Sequence, residues 1–107
     1  MMVADVGLPV NPRGLEAQLM GAVTDGISVT LQAGLHIDGG AVREGSFADF
    51  HYARQRHSPT TVEVHLMPPG GAPGGAGELG VPAAAAAVAN AYARATGTRP
   101  RSFPINF

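Results

Sequence analysis

A stretch rich in glycine and proline, residues 68–80, constrains the fold of this chain more than any other feature. Nine of its thirteen residues are glycine or proline, so it supplies neither a helix nor the interior of a strand. It therefore predicts one long loop, which separates a strand ending near Met67 from a helix that Pro82 opens.

The segment that follows Asn11 predicts the first helix. Asn is a good helix cap, and Pro12 at the first helical position loses no N–H group that the helix needs. Apolar side chains then recur every four residues and form one stripe: Leu15, Leu19, Val23, Ile27 and Leu31. We expect this helix to end near residues 33–34.

Three glycines interrupt this first helix, at positions 14, 21 and 26. Each costs the helix about 1 kcal/mol relative to alanine. The sequence therefore predicts that another backbone or a ligand approaches this helix closely.

Short strands account for most of the remaining sequence before the loop. We expect them over residues 2–6, in a hairpin of residues 35–38 and 41–44, over residues 46–53, and over residues 61–67. The last of these alternates, with Val62, Val64 and Leu66 on one face. After the loop we expect a second helix over 83–96, closed by Gly97, and an extended tail over 101–107. The prediction is an α+β fold in a single domain, 1–107, with two helices packed on a small mixed or antiparallel sheet.

Composition excludes several classes of protein. The chain has no cysteine, which excludes disulfides, thiolate-bound zinc and an iron–sulfur cluster held by this chain. A net charge of −1 argues against a general nucleic-acid binder, and no apolar run approaches the roughly 20 residues of a membrane span. No basic leader precedes residue 5, so we predict no secretory signal and a cytoplasmic location, or a periplasmic one only within an exported complex.

The histidines and aromatic residues give little support for a metal or catalytic site. No two histidines have the spacing typical of metal ligands, so the sequence predicts no metal ligand among His36, His51, His57 and His65. Three aromatic side chains are most simply interpreted as core: Phe47, Phe50 and Tyr52.

The end of the glycine-rich loop, residues 75–80, matches the G-x-G-x-x-G pattern of dinucleotide-binding proteins. Its loop is far longer than the tight turn of that fold, and no acidic residue follows for the ribose, so nucleotide binding is a weak hypothesis. Glu78 in this segment is either a general base or a solvated acid that favours the nearby helix start. From the residues alone the solvated acid is favoured, and Gln18 is likewise interpreted as an exposed helix amide.

Several short motifs in order resemble the molybdenum hydroxylases of the xanthine dehydrogenase and aldehyde oxidoreductase family. The first half contributes Asp5-Val6-Gly7, Asn11-Pro12, Gln18-x-x-Gly21, Gly26 and Ser46-Phe47-x-Asp49. The second half contributes Val62-Glu63-Val64, Gly75-Ala76-Gly77-Glu78-x-Gly80-x-Pro82, Ala89-Asn90-Ala91, Ala95-Thr96-Gly97-x-Arg99 and Phe103-Pro104-Ile105. The resemblance covers nearly the whole chain and is closest to the isoquinoline oxidoreductase and nicotinate dehydrogenase branch.

The resemblance implies a set of site residues and a cofactor. It places Glu78 on the catalytic glutamate beside molybdenum, and Gln18 on a glutamine that contacts the pterin. It places Gly75, Ala76 and Gly77 on main chain that approaches the metal. It also implies that the first helix contains glycines because the cofactor comes close to that helix. The family hydroxylates a carbon of an aldehyde or N-heterocycle with oxygen from water. An apolar, dry loop around Glu78 would suit a base.

The family's large subunit is far longer than this chain, so the resemblance implies a C-terminal piece of the molybdopterin-binding domain. Such a piece is expected to be inactive without the remaining large-subunit chain and an iron–sulfur subunit, with the molybdenum–molybdopterin cofactor shared with a partner chain. The alternative is a non-enzymatic detached fragment without cofactor, which self-associates through the apolar stripe of its first helix.

Overall fold

The computed structural model describes residues 1–106 and shows an α+β fold, as the sequence predicts. Its elements in chain order are β1 (Met2–Ala4), α1 (Pro12–Leu31), β2 (Ile37–Asp38), β3 (Ala41–Val42), a 3₁₀ turn (Gln55–His57), β4 (Val64–Leu66) and α2 (Gly80–Thr96).

The four strands form two separate sheets of two strands each, rather than one mixed or antiparallel sheet. Strand β1 pairs in parallel with β4, from Met2 opposite Val64 to Ala4 opposite Leu66. Strands β2 and β3 form the predicted antiparallel hairpin, and Gly39 and Gly40 in its turn both have positive φ angles, which glycine adopts readily.

Helix α1 begins and helix α2 ends for the reasons that the sequence gives, whereas α2 begins at Gly80, two residues before Pro82, without a side-chain cap. The Asn11 side chain accepts a hydrogen bond from the Gly14 N–H at 3.0 Å, which satisfies a free donor of the first turn of α1. Gly97 closes α2 with φ at 76°, in the left-handed region that favours glycine. Helix α1 ends at Leu31, slightly before the predicted end, because the Gln32 and Ala33 N–H groups both bond to the Ser28 carbonyl.

The two helices pack against each other through their glycines. A Cβ atom on Gly26 of α1 would lie 2.6 Å from the Val81 carbonyl oxygen and 2.8 Å from the Ala84 Cβ of α2. A Cβ atom on Gly80 would lie 2.7 Å from the Ala22 Cβ. The backbone of α2, and not a cofactor, therefore explains the glycine at position 26. A Cβ atom on Gly14 would contact the Asn11 side chain, and a Cβ atom on Gly21 would meet no described atom within 4 Å.

A small apolar core joins β1, β4 and α1. Leu19 of α1 is fully buried and packs with Ala4 and Val6. Partly buried side chains surround this cluster: Met2, Leu15, Val64, Leu66 and Ala76. Residues 61–67 alternate between exposed and half-buried as predicted, although hydrogen bonding limits the strand to Val64–Leu66.

Two predicted extended segments are wrong. Residues 46–53 form no strand: residues 46–50 turn, because the Asp49 and Phe50 N–H groups both bond back to the Ser46 carbonyl, and residues 51–53 are irregular. Residues 101–106 bend onto the end of α1, where the Ile105 and Asn106 N–H groups bond to the Thr30 and Leu31 carbonyls. These bonds satisfy carbonyls that the last helical turn leaves free; the final residue of the predicted tail lies outside the described residues.

Candidate functional site

The glycine-rich loop reaches α1 and is held there at three positions. The Ala76 side chain is half-buried against the Leu19 cluster, the Gly77 carbonyl accepts a hydrogen bond from Gln18, and Gly80 is buried against Ala22. The contacts that α1 offers recur with helical spacing, so they come from one face of that helix. The end of the loop is therefore placed by tertiary contacts, although its own sequence has little tendency to order.

The side chain of Gln18 crosses from α1 to the loop. Its Nε2 donates to the Gly77 carbonyl oxygen at 2.8 Å, between residues 59 positions apart in the chain. Gln18 is exposed, as interpreted from the sequence, and its amide is in addition bonded to the loop. The structure brings together Gln18 and the loop that carries Glu78, which the resemblance assigns to one site.

Glu78 itself is exposed, and the described residues offer its carboxylate no hydrogen-bond partner. It lies two residues before the first residue of α2, near the positive end of that helix dipole. The predicted dry surrounding of Glu78 is not formed within residues 1–106. Exclusion of water from this carboxylate requires other polypeptide or a bound group.

Gly75 and Gly77 present bare main chain to open space. A Cβ atom on either would meet no atom within 4 Å, and neither has the positive φ that Gly71 of the same loop requires. Nothing within residues 1–106 therefore explains glycine at these two positions. A group that needs close approach to the backbone fits there, and the residues present are compatible with a large pterin-bound metal.

Several other polar side chains form structural contacts within the chain. The Glu44 carboxylate bonds to the His36 ring Nδ1 at 2.5 Å and accepts from the His36 N–H at 2.9 Å. The hydrogen bond with the His36 side chain is the main cause that holds the pKa of Glu44 below its ordinary value. Arg99 donates to the Asn90 side chain at 3.0 Å. Among residues 1–106 no group of three His, Asp or Glu side chains is arranged to hold a metal.

Sequence reasoning missed a cavity on another side of α1. It has a volume of about 700 Å³ and is lined by Met20, Gly21, Ser28, Phe47, Phe50 and Tyr52, among others. Phe50 stacks on Tyr52 and Phe47 contacts the Tyr52 ring edge to face. Phe47 is nevertheless 80% exposed, so the prediction that it is core is wrong for this chain. The three aromatic residues within six positions of the sequence were the feature that could have indicated this cavity.

No helix among the described residues is both long and apolar enough to cross a bilayer.

Comparison with known proteins places the chain in a family, although no protein-family profile matches it. The chain is 33% identical over 101 residues to the isoquinoline 1-oxidoreductase subunit beta of Brevundimonas diminuta. This match covers 94% of this chain and 13% of that subunit. The chain therefore spans about an eighth of that relative's length.

Two solved structures are also similar. The Cu,Mo-CO dehydrogenase in its carbon monoxide reduced state superposes with a TM-score of 0.77 at 25% identity, over 89% of this chain and 13% of that one. Reconstituted CO dehydrogenase from Oligotropha carboxidovorans gives a TM-score of 0.75 at 24% identity, over 94% of this chain and 14% of that one, and shows the same fold. With the motifs and the Gln18 contact already described, these similarities show that the chain belongs to the molybdopterin-binding subunits of the xanthine dehydrogenase and aldehyde oxidoreductase family.

Proposed function

We propose that this chain supplies the glutamate base and the pterin contacts of a molybdenum hydroxylase that acts on an aldehyde or an N-heterocycle. Glu78 is the catalytic residue, and Gln18, Gly75, Ala76 and Gly77 bind the cofactor. The single observation that supports this best is the hydrogen bond from Gln18 to Gly77, because it joins the two predicted parts of the site across 59 residues of sequence.

The chemistry available to these residues fits the proposal. The carboxylate of Glu78 has no hydrogen-bond partner in the part of the chain that the structure describes, so it is free to accept a proton from a group placed beside the loop. The bare faces of Gly75 and Gly77 let that group come within contact distance of the main chain. The Gln18 amide still has one N–H and its carbonyl oxygen available for a ligand, since only one N–H is used on Gly77.

The molybdenum–molybdopterin group, when bound, supplies oxygen transfer from water and takes up the electrons released from the substrate. The residues of this chain orient that group and hold or move the proton at Glu78. They do not enclose it, because the loop is exposed. The site is therefore completed by other polypeptide.

We propose that the remaining large-subunit chain completes the site and that an iron–sulfur subunit carries electrons away. The short length relative to the Brevundimonas subunit supports a missing part. The sheet of β1 and β4 also supports a missing part. Two strands alone are marginally stable, and the outer edges of both strands are unpaired among the described residues. No residue here can ligate iron through a thiolate, so clusters belong to a partner.

The alternative is a detached fragment that self-associates without cofactor. Its supporting observation is the exposed apolar surface, which includes Phe47 at 80%, Val10 at 80% and Ile37 at 72% exposure. Surfaces of this kind favour association.

Co-expression with the remaining large-subunit and iron–sulfur genes tests the proposal. We expect molybdenum and pterin in the purified complex, and Glu78→Gln should lower kcat by a factor of about 10²–10⁴ while molybdenum is retained. Glu63→Gln is the matched control, because Glu63 is an exposed carboxylate on the approach to β4 and should leave kcat unchanged. A stable complex without molybdenum and pterin contradicts the proposal and supports the detached fragment.

A further inference from the structure

The position of the Glu78 carboxylate depends on its main chain, because its side chain has no partner among the described residues. The flanking residues are well held: Ala76 packs on the apolar core, and Gly80 is buried against Ala22. Residue 77 between them is a glycine, which has more backbone freedom than any other residue. Something must therefore fix the chain direction at Gly77.

The Gln18 amide does this. Its Nε2 donates to the Gly77 carbonyl at 2.8 Å, and the Gly77 carbonyl and the Glu78 N–H belong to one planar peptide unit. In a trans peptide these two groups point in opposite directions, so the bond to Gln18 turns the Glu78 N–H away from the Gln18 amide. The same bond fixes where the Cα of Glu78 lies.

We infer that Gln18 is a positioning residue for Glu78, in addition to its proposed contact with the pterin. The inference rests on the proposed function of Glu78 as the base. Gln18 contributes one N–H to the loop and keeps its other N–H and its carbonyl oxygen for a ligand. One side chain on α1 thereby couples the place of the cofactor to the place of the carboxylate.

Backbone order at residues 77 and 78 provides a test that does not depend on activity. In the 107-residue chain, ¹⁵N relaxation should give rigid values at Gly77 and Glu78, with order parameters of about 0.85. Gln18→Glu has the same shape but lacks the donor, and should lower both to below about 0.6. Gln18→Lys restores a donor and should recover the order. Gln55→Glu makes the same chemical change at an exposed position of the 3₁₀ turn and should change neither value.

Kinetics of the assembled complex provide the second test. A displacement of a catalytic group by about 1 Å costs up to roughly a hundredfold in rate. Gln18→Glu should therefore lower kcat by about 10–100-fold, with KM within twofold and the molybdenum content unchanged, and Gln18→Lys should recover part of kcat.

Two results would overturn the inference. One is unchanged order at Gly77 and Glu78 in Gln18→Glu, whatever happens to kcat. The other is loss of molybdenum with unchanged loop order, which assigns Gln18 to the pterin contact alone. If Glu78→Gln keeps full activity, the proposed function fails while the relaxation experiment still reports whether Gln18 orders the loop.

Discussion

Substitution of Gly26 by alanine tests the close packing of the two helices. In the interior of an isolated helix this change stabilises by about 1 kcal/mol, because glycine is the poorer helix former. Here the new Cβ would lie 2.6 Å from the Val81 carbonyl oxygen and 2.8 Å from the Ala84 Cβ. Neither atom belongs to a flexible side chain, so α2 itself has to move.

The net effect follows from two opposing terms. Overpacking of this kind costs about 1–3 kcal/mol. The gain in helix propensity offsets about 1 kcal/mol of that cost. We therefore expect Gly26→Ala to lower the free energy of unfolding by roughly 1 kcal/mol, which lowers Tm by about 4–8 °C for a domain of this size.

Gly21→Ala is the matched control, on the same helix and with the same change of side chain. A Cβ atom there meets nothing within 4 Å, so only the propensity gain remains and the chain should be stabilised by up to about 1 kcal/mol. Urea and thermal unfolding followed by circular dichroism measure both variants. If Gly26→Ala is stabilising by as much as Gly21→Ala, the close approach of α1 and α2 at Gly26 is refuted.

Three further predictions address the helix cap, the hairpin and the loop. Asn11→Ala should lower the free energy of unfolding by about 1 kcal/mol, and Asn11→Asp should restore it, since the Asn11 oxygen satisfies the Gly14 N–H. The contact of Glu44 with His36 lowers the pKa of Glu44, so its stabilisation of the hairpin is present above the ordinary carboxyl pKa and is lost as pH falls through the lowered value. NMR of the His36 amide should show this acid transition, and Glu44→Gln should abolish it; an unchanged transition contradicts the assignment. Gly77→Ala should leave the stability of the chain nearly unchanged, because its Cβ meets no atom, yet lower the molybdenum content of the assembled complex. Equal molybdenum in the variant and the parent would contradict the role of the bare main chain.

The local elements were predictable because their signals lie within a few residues of each other. Asn11 before Pro12 marks the start of α1, and Gly97 marks the end of α2, since each satisfies backbone groups of the adjacent turn. The alternation of residues 61–67 likewise survives in their exposure. The failure over residues 46–53 has a local cause too: the Ser46 side chain accepts from the Ala48 N–H and donates to Asp49, which favours a turn.

The candidate site was predictable only in its residue types. The glycine-rich stretch and its single acid pointed to Glu78, and the resemblance added Gln18. From sequence physics alone both were interpreted as solvated side chains, because no local pattern indicates that a helix amide reaches a carbonyl 59 residues away. The exposure of Phe47 was missed for a related reason. An apolar side chain is equally suited to the core of its own chain and to an interface with another chain, so its residue type does not distinguish the two.

The sequence by itself determined where α1 starts and where α2 stops, which face of residues 61–67 is the more buried, and that residues 68–79 form a loop. These properties follow from backbone chemistry and from periodicity within one element. Only the tertiary structure decided that β1 pairs in parallel with β4, and which glycines are required by packing and which face open space. Glycine at positions 26, 77 and 80 reads alike in the sequence, but each has a different neighbour in space, and close packing between distant segments is what distinguishes them.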